Sequence, residues 1–328
     1  MLRTIFVLGI CICTFTACLK QVEQKPINST QKIEKKSITN IIAGETVSLT
    51  AKGDGFFNTP VFSNNGEKVF FANQNYSEVW SCDADGKNIK LVAEGKRIAQ
   101  SFVLSGDDRI LYAIEKNKRG KRGEDLLLRF DLSSGKKSVL YKSAKGLVNL
   151  ELTDNELIFL EDDKIQSYDI VLSKLNVTLV SEKSVYQING TVIKVFKENG
   201  VEVIKPFEDK NILWVEKFHS CSNVLFSVAG DKTYLADENC SIIKPLGDIR
   251  NPKISWDDTM VAYYLDKDDG MKITGSDIFV KEIESGKEFM ITDSKDVQET
   301  NPDWAKDGES LVYATDEGII KLVKLIFN

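Results

Sequence analysis

Residues 302–313 read Pro302-Asp303-Trp304-Ala305-Lys306-Asp307-Gly308-Glu309-Ser310-Leu311-Val312-Tyr313, and the same plan is written twice more, from Pro252 to Tyr263 and from Pro60 to Phe71. Two places after each proline stands a large apolar residue, Phe62, Ile254 or Trp304, followed by Ser63, Ser255 or Ala305. Five and six places on come Asn65-Gly66, Asp257-Asp258 and Asp307-Gly308, and then the apolar triplets Val69-Phe70-Phe71, Val261-Ala262-Tyr263 and Leu311-Val312-Tyr313. Each copy reads as strand, turn, strand. An Asx side chain bonds the local backbone and a glycine accepts positive φ, so residues of this kind close tight turns. Turn residues repeated from unit to unit are read as structural rather than as ligands to a metal or substrate. A second signature closes a later hairpin in Asp83-Ala84-Asp85-Gly86-Lys87, in Asp131-Leu132-Ser133-Ser134-Gly135-Lys136 and in Glu282-Ile283-Glu284-Ser285-Gly286-Lys287. A third echo sets Val203-Ile204-Lys205-Pro206-Phe207 against Ile242-Ile243-Lys244-Pro245-Leu246.

Outward from these units the chain is a series of short β-rich runs separated by Asn, Asp, Gly, Ser and Lys, with no long run of helical period. Many short strands at even spacing point to a sandwich, barrel or propeller, and the internal repeat selects the propeller. The expected fold is all-β, a β-propeller of four-stranded blades. Second-strand runs near residues 70, 111, 158, 193, 225, 262 and 312 favour seven blades, with six as the alternative. A coarse count of about 27 strands approaches the roughly 28 that seven four-stranded blades require. The last unit supplies three strands, and the segment Glu45-Thr46-Val47-Ser48-Leu49-Thr50 is left over. It is expected to pair beside residues 319–327 as the outer strand of the last blade, closing the ring.

These repeats resemble the WD40-like units of TolB-type propellers. The resemblance is clear in the units from Pro60, Pro252 and Pro302, partial near Ser101, and blurred across residues 148–250. It implies the propeller fold and, as the leading class of partner, another envelope protein. TolB-type propellers usually have six blades and follow an α/β domain, for which this chain has no room. The motif therefore speaks to fold more than to function.

The N-terminus carries a different signal. Arg3 precedes a short apolar run from Ile5 to Cys13, too short to span a bilayer and suited to the core of a signal peptide. Thr16 and Ala17 before Cys18 resemble a bacterial lipobox. On that resemblance residues 1–17 are a lipoprotein signal peptide, and Cys18 carries acyl chains, palmitate among them, that hold the protein to the lipid bilayer. Two or more chains anchor firmly where one binds only marginally. The competing reading is ordinary cleavage nearby, with Cys18 a plain thiol. Leu19 rather than aspartate follows Cys18, which by resemblance favours the outer membrane in a diderm host. Residues 18–43 are polar and should form a flexible tether, with the propeller over residues 44–328.

The chain has 43 Lys+Arg, 49 Asp+Glu and a formal charge of −6, with both signs interspersed. A nucleic-acid protein would need a basic face, so that class is set aside. His219 is the only histidine, which excludes a multi-histidine metal site. It also argues against the oligogalacturonate-lyase branch of related propellers, which by resemblance needs several. G-x-S-x-G, H-E-x-x-H and phosphate-loop patterns are absent, so no catalytic residue, metal or cofactor is assigned. Cys221 and Cys240 flank a hairpin whose turn lies near Gly230-Asp231, and an exported domain permits a disulfide between them. Two free thiols are the alternative, because a simple hairpin places this pair where side chains diverge. The loop around Lys116, Lys118, Arg119, Lys121 and Arg122 concentrates positive charge on an acidic protein. It reads either as a solvated hairpin tip or as a contact for an anionic partner. Asp266-Lys267-Asp268-Asp269-Gly270 lacks the spacing and closing glutamate of a calcium loop and reads as another hairpin tip. The tryptophans Trp80, Trp214, Trp256 and Trp304 are expected between blades; a glycan platform would require some of them on one open face.

These observations favour a non-enzymatic, membrane-anchored propeller that binds another envelope protein or envelope component. A propeller hydrolase or lyase on glycan or peptide, or a glycan-binding lipoprotein, are the alternatives.

Overall fold

The computed structural model describes residues 39–117, 122–153, 155–176, 184–197 and 200–328. They form 27 strands and one short 3-10 turn, Ile98–Gln100, arranged as seven antiparallel sheets. Blade 1 contains Phe57–Phe62, Lys68–Asn73, Glu78–Asp83 and Lys90–Glu94; blade 2 contains Phe102–Leu104, Ile110–Glu115, Asp125–Asp131 and Lys137–Ser143. Blade 3 contains Leu147–Thr153, Glu156–Glu161, Lys164–Asp169 and Lys174–Leu175, and blade 4 contains Val185–Asn189, Val192–Lys197 and Gly200–Ile204. Blade 5 contains Ile212–Lys217, Val224–Val228, Thr233–Ala236 and Ile242–Gly247. Blade 6 contains Arg250–Ile254, Met260–Asp268, Ile273–Glu282 and Glu288–Met290. Blade 7 contains Glu299–Trp304, Ser310–Thr315, Ile320–Phe327 and, from the other end of the chain, Ile41–Ser48. All seven markers used to count blades from the sequence fall in second strands.

The recurrent turn has the geometry its residues require. In blades 1, 2 and 6 a serine hydroxyl donates to the Asx two residues on: Ser63 to Asn65 at 2.8 Å, Ser105 to Asp107 at 2.6 Å, Ser255 to Asp257 at 2.6 Å. The next residue takes positive φ, as Gly66, Asp108, Asp258 and Gly308 do. Asp108 and Asp258, which stand where glycine would be easiest, have a second use. The Asp108 carboxylate accepts the Asn64 and Asn65 amides of blade 1, and the Asp258 carboxylate accepts the His219 and Ser220 amides of blade 5. Each aspartate thus fastens its own turn to the turn of the preceding blade.

The prolines have a structural reason as well. Thr59, Asn149, Asn251 and Asn301 adopt positive φ in the first strands of blades 1, 3, 6 and 7, where the register shifts through a bulge. Asparagine tolerates that conformation better than most residues. A proline just after it loses no ladder hydrogen bond, because the bulge leaves that position unpaired.

Seven apolar clusters fill the seven interfaces between successive blades. Phe57, Val69, Phe71, Val312, Ile320 and Leu322 join blade 7 to blade 1, so the ring closes. Closure is secured by the backbone hydrogen bonds of the N-terminal strand, which pairs antiparallel with Ile320–Phe327 from Ile41↔Phe327 to Ser48↔Lys321. Pairing begins at Ile41, ahead of the boundary expected at residue 44, because Ile41 is an apolar anchor only 2% exposed within the cluster between blades 6 and 7.

Blade 4 departs from the four-strand expectation, with three strands among the described residues. The chain leaves Ile204 through Lys205-Pro206 and proceeds directly to the first strand of blade 5 at Ile212. The cluster between blades 3 and 4 is correspondingly small, built on Ile158, Leu160, Val185 and Phe196.

Candidate functional site: the channel and its mouth

In a propeller the first strand of each blade lines the central channel. The pairing register identifies which of their residues lie at one level. Val61, Val103, Glu151, Gln187, Glu216, Lys253 and Asp303 occupy equivalent positions, opposite Phe70, Tyr112, Ile158, Lys194, Leu225, Ala262 and Val312 of the second strands. All seven are half-buried. The level is divided: blades 1 and 2 contribute valines, and the contiguous arc from blade 3 to blade 7 contributes polar or charged groups. The fold tolerates an apolar residue here, so the charges on the arc are not demanded by the repeat.

The charged groups are bound into a network across blades. Lys217 Nζ lies 2.6 Å from Glu151 and donates to the Ser184 carbonyl at 3.1 Å. Lys253 Nζ lies 3.1 Å from Glu216. The negative charge of Glu216 holds the Lys253 ammonium above its ordinary range. Asp303 accepts the Phe62 amide of blade 1 at 3.0 Å, capping the channel-side edge of that strand. Burial pushes the Asp303 carboxyl up to about 6, against the opposing pull of the Lys253 charge and the Phe62 amide. Among the described residues no lysine or arginine nitrogen comes within ion-pair distance of Asp303. Neutral bonds complete the wall: Asn251 donates to Asn301 at 2.8 Å, Asn149 to the Tyr186 carbonyl at 2.8 Å, and the Trp304 indole to the Lys253 carbonyl at 2.9 Å.

A cavity of about 160 Å³ opens against Val61, Phe62, Glu216, Lys253, Asp303 and Trp304. It shares Glu216 and His219 with a cavity of about 380 Å³ that includes Asn149, Glu151, Tyr186 and Lys217. A third, of about 270 Å³, continues past His219 to Ser220, Cys221 and Glu238. The three form one depression on the face that carries the first-to-second-strand turns, here called the top face. Its rim holds a stack across three blades. The His219 ring of blade 5 lies 4.5 Å from the Trp256 ring of blade 6 at 14°, and Lys306 of blade 7 stands 4.8 Å from the same ring. Trp256 is 41% exposed. His219 is exposed there.

The other residues singled out from the sequence lie elsewhere. Cys18 is outside the described residues, as are Lys118, Arg119 and Lys121 of the basic loop. The described residues that flank it, Lys116, Asn117 and Arg122, lie between the second and third strands of blade 2, at the end of the blade opposite the mouth. Lys116 does not project from it: its side chain is largely buried, 3.4 Å from Asp125, and burial lowers its pKa. Arg122 is exposed. The considered Cys221–Cys240 disulfide is not made; both thiols are free, as is Cys82. The hairpin pairs Val224 with Ala236 and Ser227 with Thr233, one register away from the alignment that sets Cys221 opposite Cys240. Both cysteines also fall beyond the paired strands, Cys221 in an exposed turn and Cys240 buried, its thiol pushed up to about 11 by burial. Of the run Asp266–Gly270, expected to be a hairpin tip, Asp266, Lys267 and Asp268 end the strand Met260–Asp268, and only Asp269 and Gly270 lie in the turn before Ile273–Glu282. Trp304 is buried, and Trp80 and Trp214 are half-buried, so Trp256 alone of the four stands open on the top face. Among the described residues no group of three or more His, Cys, Asp or Glu side chains is placed to hold a metal.

The sequence reading passed over Glu151, Glu216, Lys253 and Asp303. The available signal was the place immediately after each aligned proline. It reads Val61, Lys253, Asp303, varying in charge between fixed neighbours.

Solved structures with this fold include an oligogalacturonate lyase in complex with manganese, 14% identical, with a TM-score of 0.60 over 86% of this chain and 93% of that one. Another oligogalacturonate lyase, from Vibrio parahaemolyticus, is 12% identical with a TM-score of 0.58, covering 87% of this chain and 96% of its own. A chain of the mitotic checkpoint complex is 11% identical with a TM-score of 0.61, covering 98% and 100%. At such identities the likeness is one of fold. No family model and no curated protein matches the chain.

Proposed function

We propose that this protein is a membrane-anchored, non-enzymatic β-propeller that binds another envelope protein through the top-face mouth of its channel, in the manner its resemblance to TolB-type propellers suggests. The observation that carries the reading is the charged arc of the channel opening onto the exposed His219–Trp256–Lys306 rim. Binding propellers present loops and channel mouths on a rigid ring, where recognition needs little reordering. The N-terminal segment joins the ring on this same face, since Ile41 pairs with Phe327 where the third strand of blade 7 reaches the top. Acylation at Cys18 supplies the anchor, and an outer-membrane location follows where the host is diderm.

The test is affinity capture from gently solubilised envelopes, with the wild-type chain and the variant Trp256→Ala side by side. A stoichiometric envelope protein retained by the wild type and lost from the variant supports the reading; equal recovery by both contradicts it. Labelling with a palmitate analogue should mark the wild type and not Cys18→Ser.

A second reading, a lyase or hydrolase on envelope polysaccharide, draws on the two oligogalacturonate lyases that share the fold. It is tested by assaying polysaccharide cleavage with the wild type and with Glu216→Gln. The glycan-platform reading is the weaker, because the Trp256 ring is already occupied by His219 and Lys306 from the flanking blades.

A further inference from the structure

We infer that the cavity of about 160 Å³ beside Asp303 is a receptor for one cationic side chain, a lysine ammonium or arginine guanidinium, presented by an extended segment of a protein partner. Its lining holds two carboxylates, Glu216 and Asp303, and one cation, Lys253, which is engaged with Glu216. Asp303 has a backbone amide but no counter-charge within ion-pair distance among the described residues. A half-buried carboxylate left this way carries a desolvation cost that an incoming cation would offset. The fold does not require that cost, since Val61 and Val103 fill the same level in blades 1 and 2. The carboxyl held near 6 is the signature of that cost, and it marks a group whose burial an incoming cation would relieve.

The walls suit the same ligand. Phe62 and Trp304 bound the cavity, and aromatic side chains attract ammonium and guanidinium groups. At the rim, Trp256 already holds a cation of this chain, Lys306, in the same way. The volume corresponds to about five waters, room for the head of a lysine or arginine. The stem would lie in the adjoining cavity of about 380 Å³, with the backbone at the rim.

The inference rests on the mouth being a binding surface, and its test needs no envelope partner. The full-length protein in detergent micelles is titrated by calorimetry with three probes: Gly-Arg-Gly amide, its neutral isostere Gly-citrulline-Gly amide, and agmatine. The expected result is saturable binding of the arginine peptide, at least about tenfold tighter than the citrulline peptide. Asp303→Asn keeps the acceptor for Phe62 and should erase that preference while remaining folded by circular dichroism. Asp303→Val, which restores the blade 1 residue, should do the same. Agmatine binding as tightly as the peptide would assign the pocket to free amines instead and overturn the side-chain claim. Equal binding of the arginine and citrulline peptides, no saturable heat from either, or a preference that survives Asp303→Asn would also overturn it. Should capture fail while the arginine preference holds, the platform reading falls and the pocket assignment stands.

Discussion

At Asp303 the titration has a definite sign. Its carboxyl is near 6 in the folded protein and near 3.8 when unperturbed, so the folded state binds the proton more tightly than the unfolded chain. The charged form therefore costs stability at neutral pH, and the cost is relieved as pH falls from above 6 toward 4. Asp303→Asn removes the charge and keeps the acceptor. It should raise stability by about 1–2 kcal/mol at pH 7.5, below the full value of the shift because the group is not sealed from water. Thermal melts at a series of pH values check this: the gap between variant and wild type should close near pH 4. A constant gap would assign the effect to packing. The same residue illustrates what a sequence hides. The Pro-x-Trp plan locates Asp303 on a first strand, but its significance depends on Lys253, Glu216 and Phe62, each contributed by a different blade. Likewise Asp258 is legible as a turn residue, whereas its grip on the His219 and Ser220 amides exists only once blades 5 and 6 are adjacent.

Among elements, legibility follows how local the determinants are. Blades 1, 6 and 7 were readable because an Asx side chain and a positive-φ residue close each first turn within five residues. Blade 5 was blurred because its turn, His219-Ser220-Cys221-Ser222-Asn223, is held by Asp258 of the next blade and needs no Asx-Gly of its own. Blade 4 was blurred because Asn189-Gly190 closes a minimal hairpin and a fourth strand is not built among the described residues. The small cluster between blades 3 and 4 has a dynamic consequence: little buried apolar surface lowers the local opening energy. Amide hydrogen exchange should be fastest, among first and second strands, in Val185–Asn189 and Val192–Lys197. Equal protection across all first and second strands would contradict this. The N-terminal strand is the opposite case, a segment far from its partner in sequence that holds the ring shut. Deleting residues 41–48 strips the outer edge from Ile320–Phe327 and uncovers Val323 and Leu325. The truncated protein should lose its cooperative melt or melt well below the parent; an unchanged melt would refute closure by this strand.

For the whole molecule, one closed ring makes two unlike faces. The top face gathers the channel mouth, the His219–Trp256–Lys306 rim and the entry of the N-terminal segment. The bottom face carries second-to-third-strand hairpins such as the one closed by residues 269–272 of blade 6. Composition and spacing conveyed the repeat and its number. They could not convey that five consecutive blades pool their polar residues on one arc of the channel, because no two of those residues are neighbours in the chain. The assignment of the top face as the recognition surface is tested most directly by photocrosslinking in intact cells. A photoreactive amino acid is placed at Lys306 on the rim or at Lys272 on a bottom-face hairpin tip. The account predicts a discrete crosslinked species from position 306 and none from position 272. Crosslinks arising only from position 272, or equally from both, would contradict it.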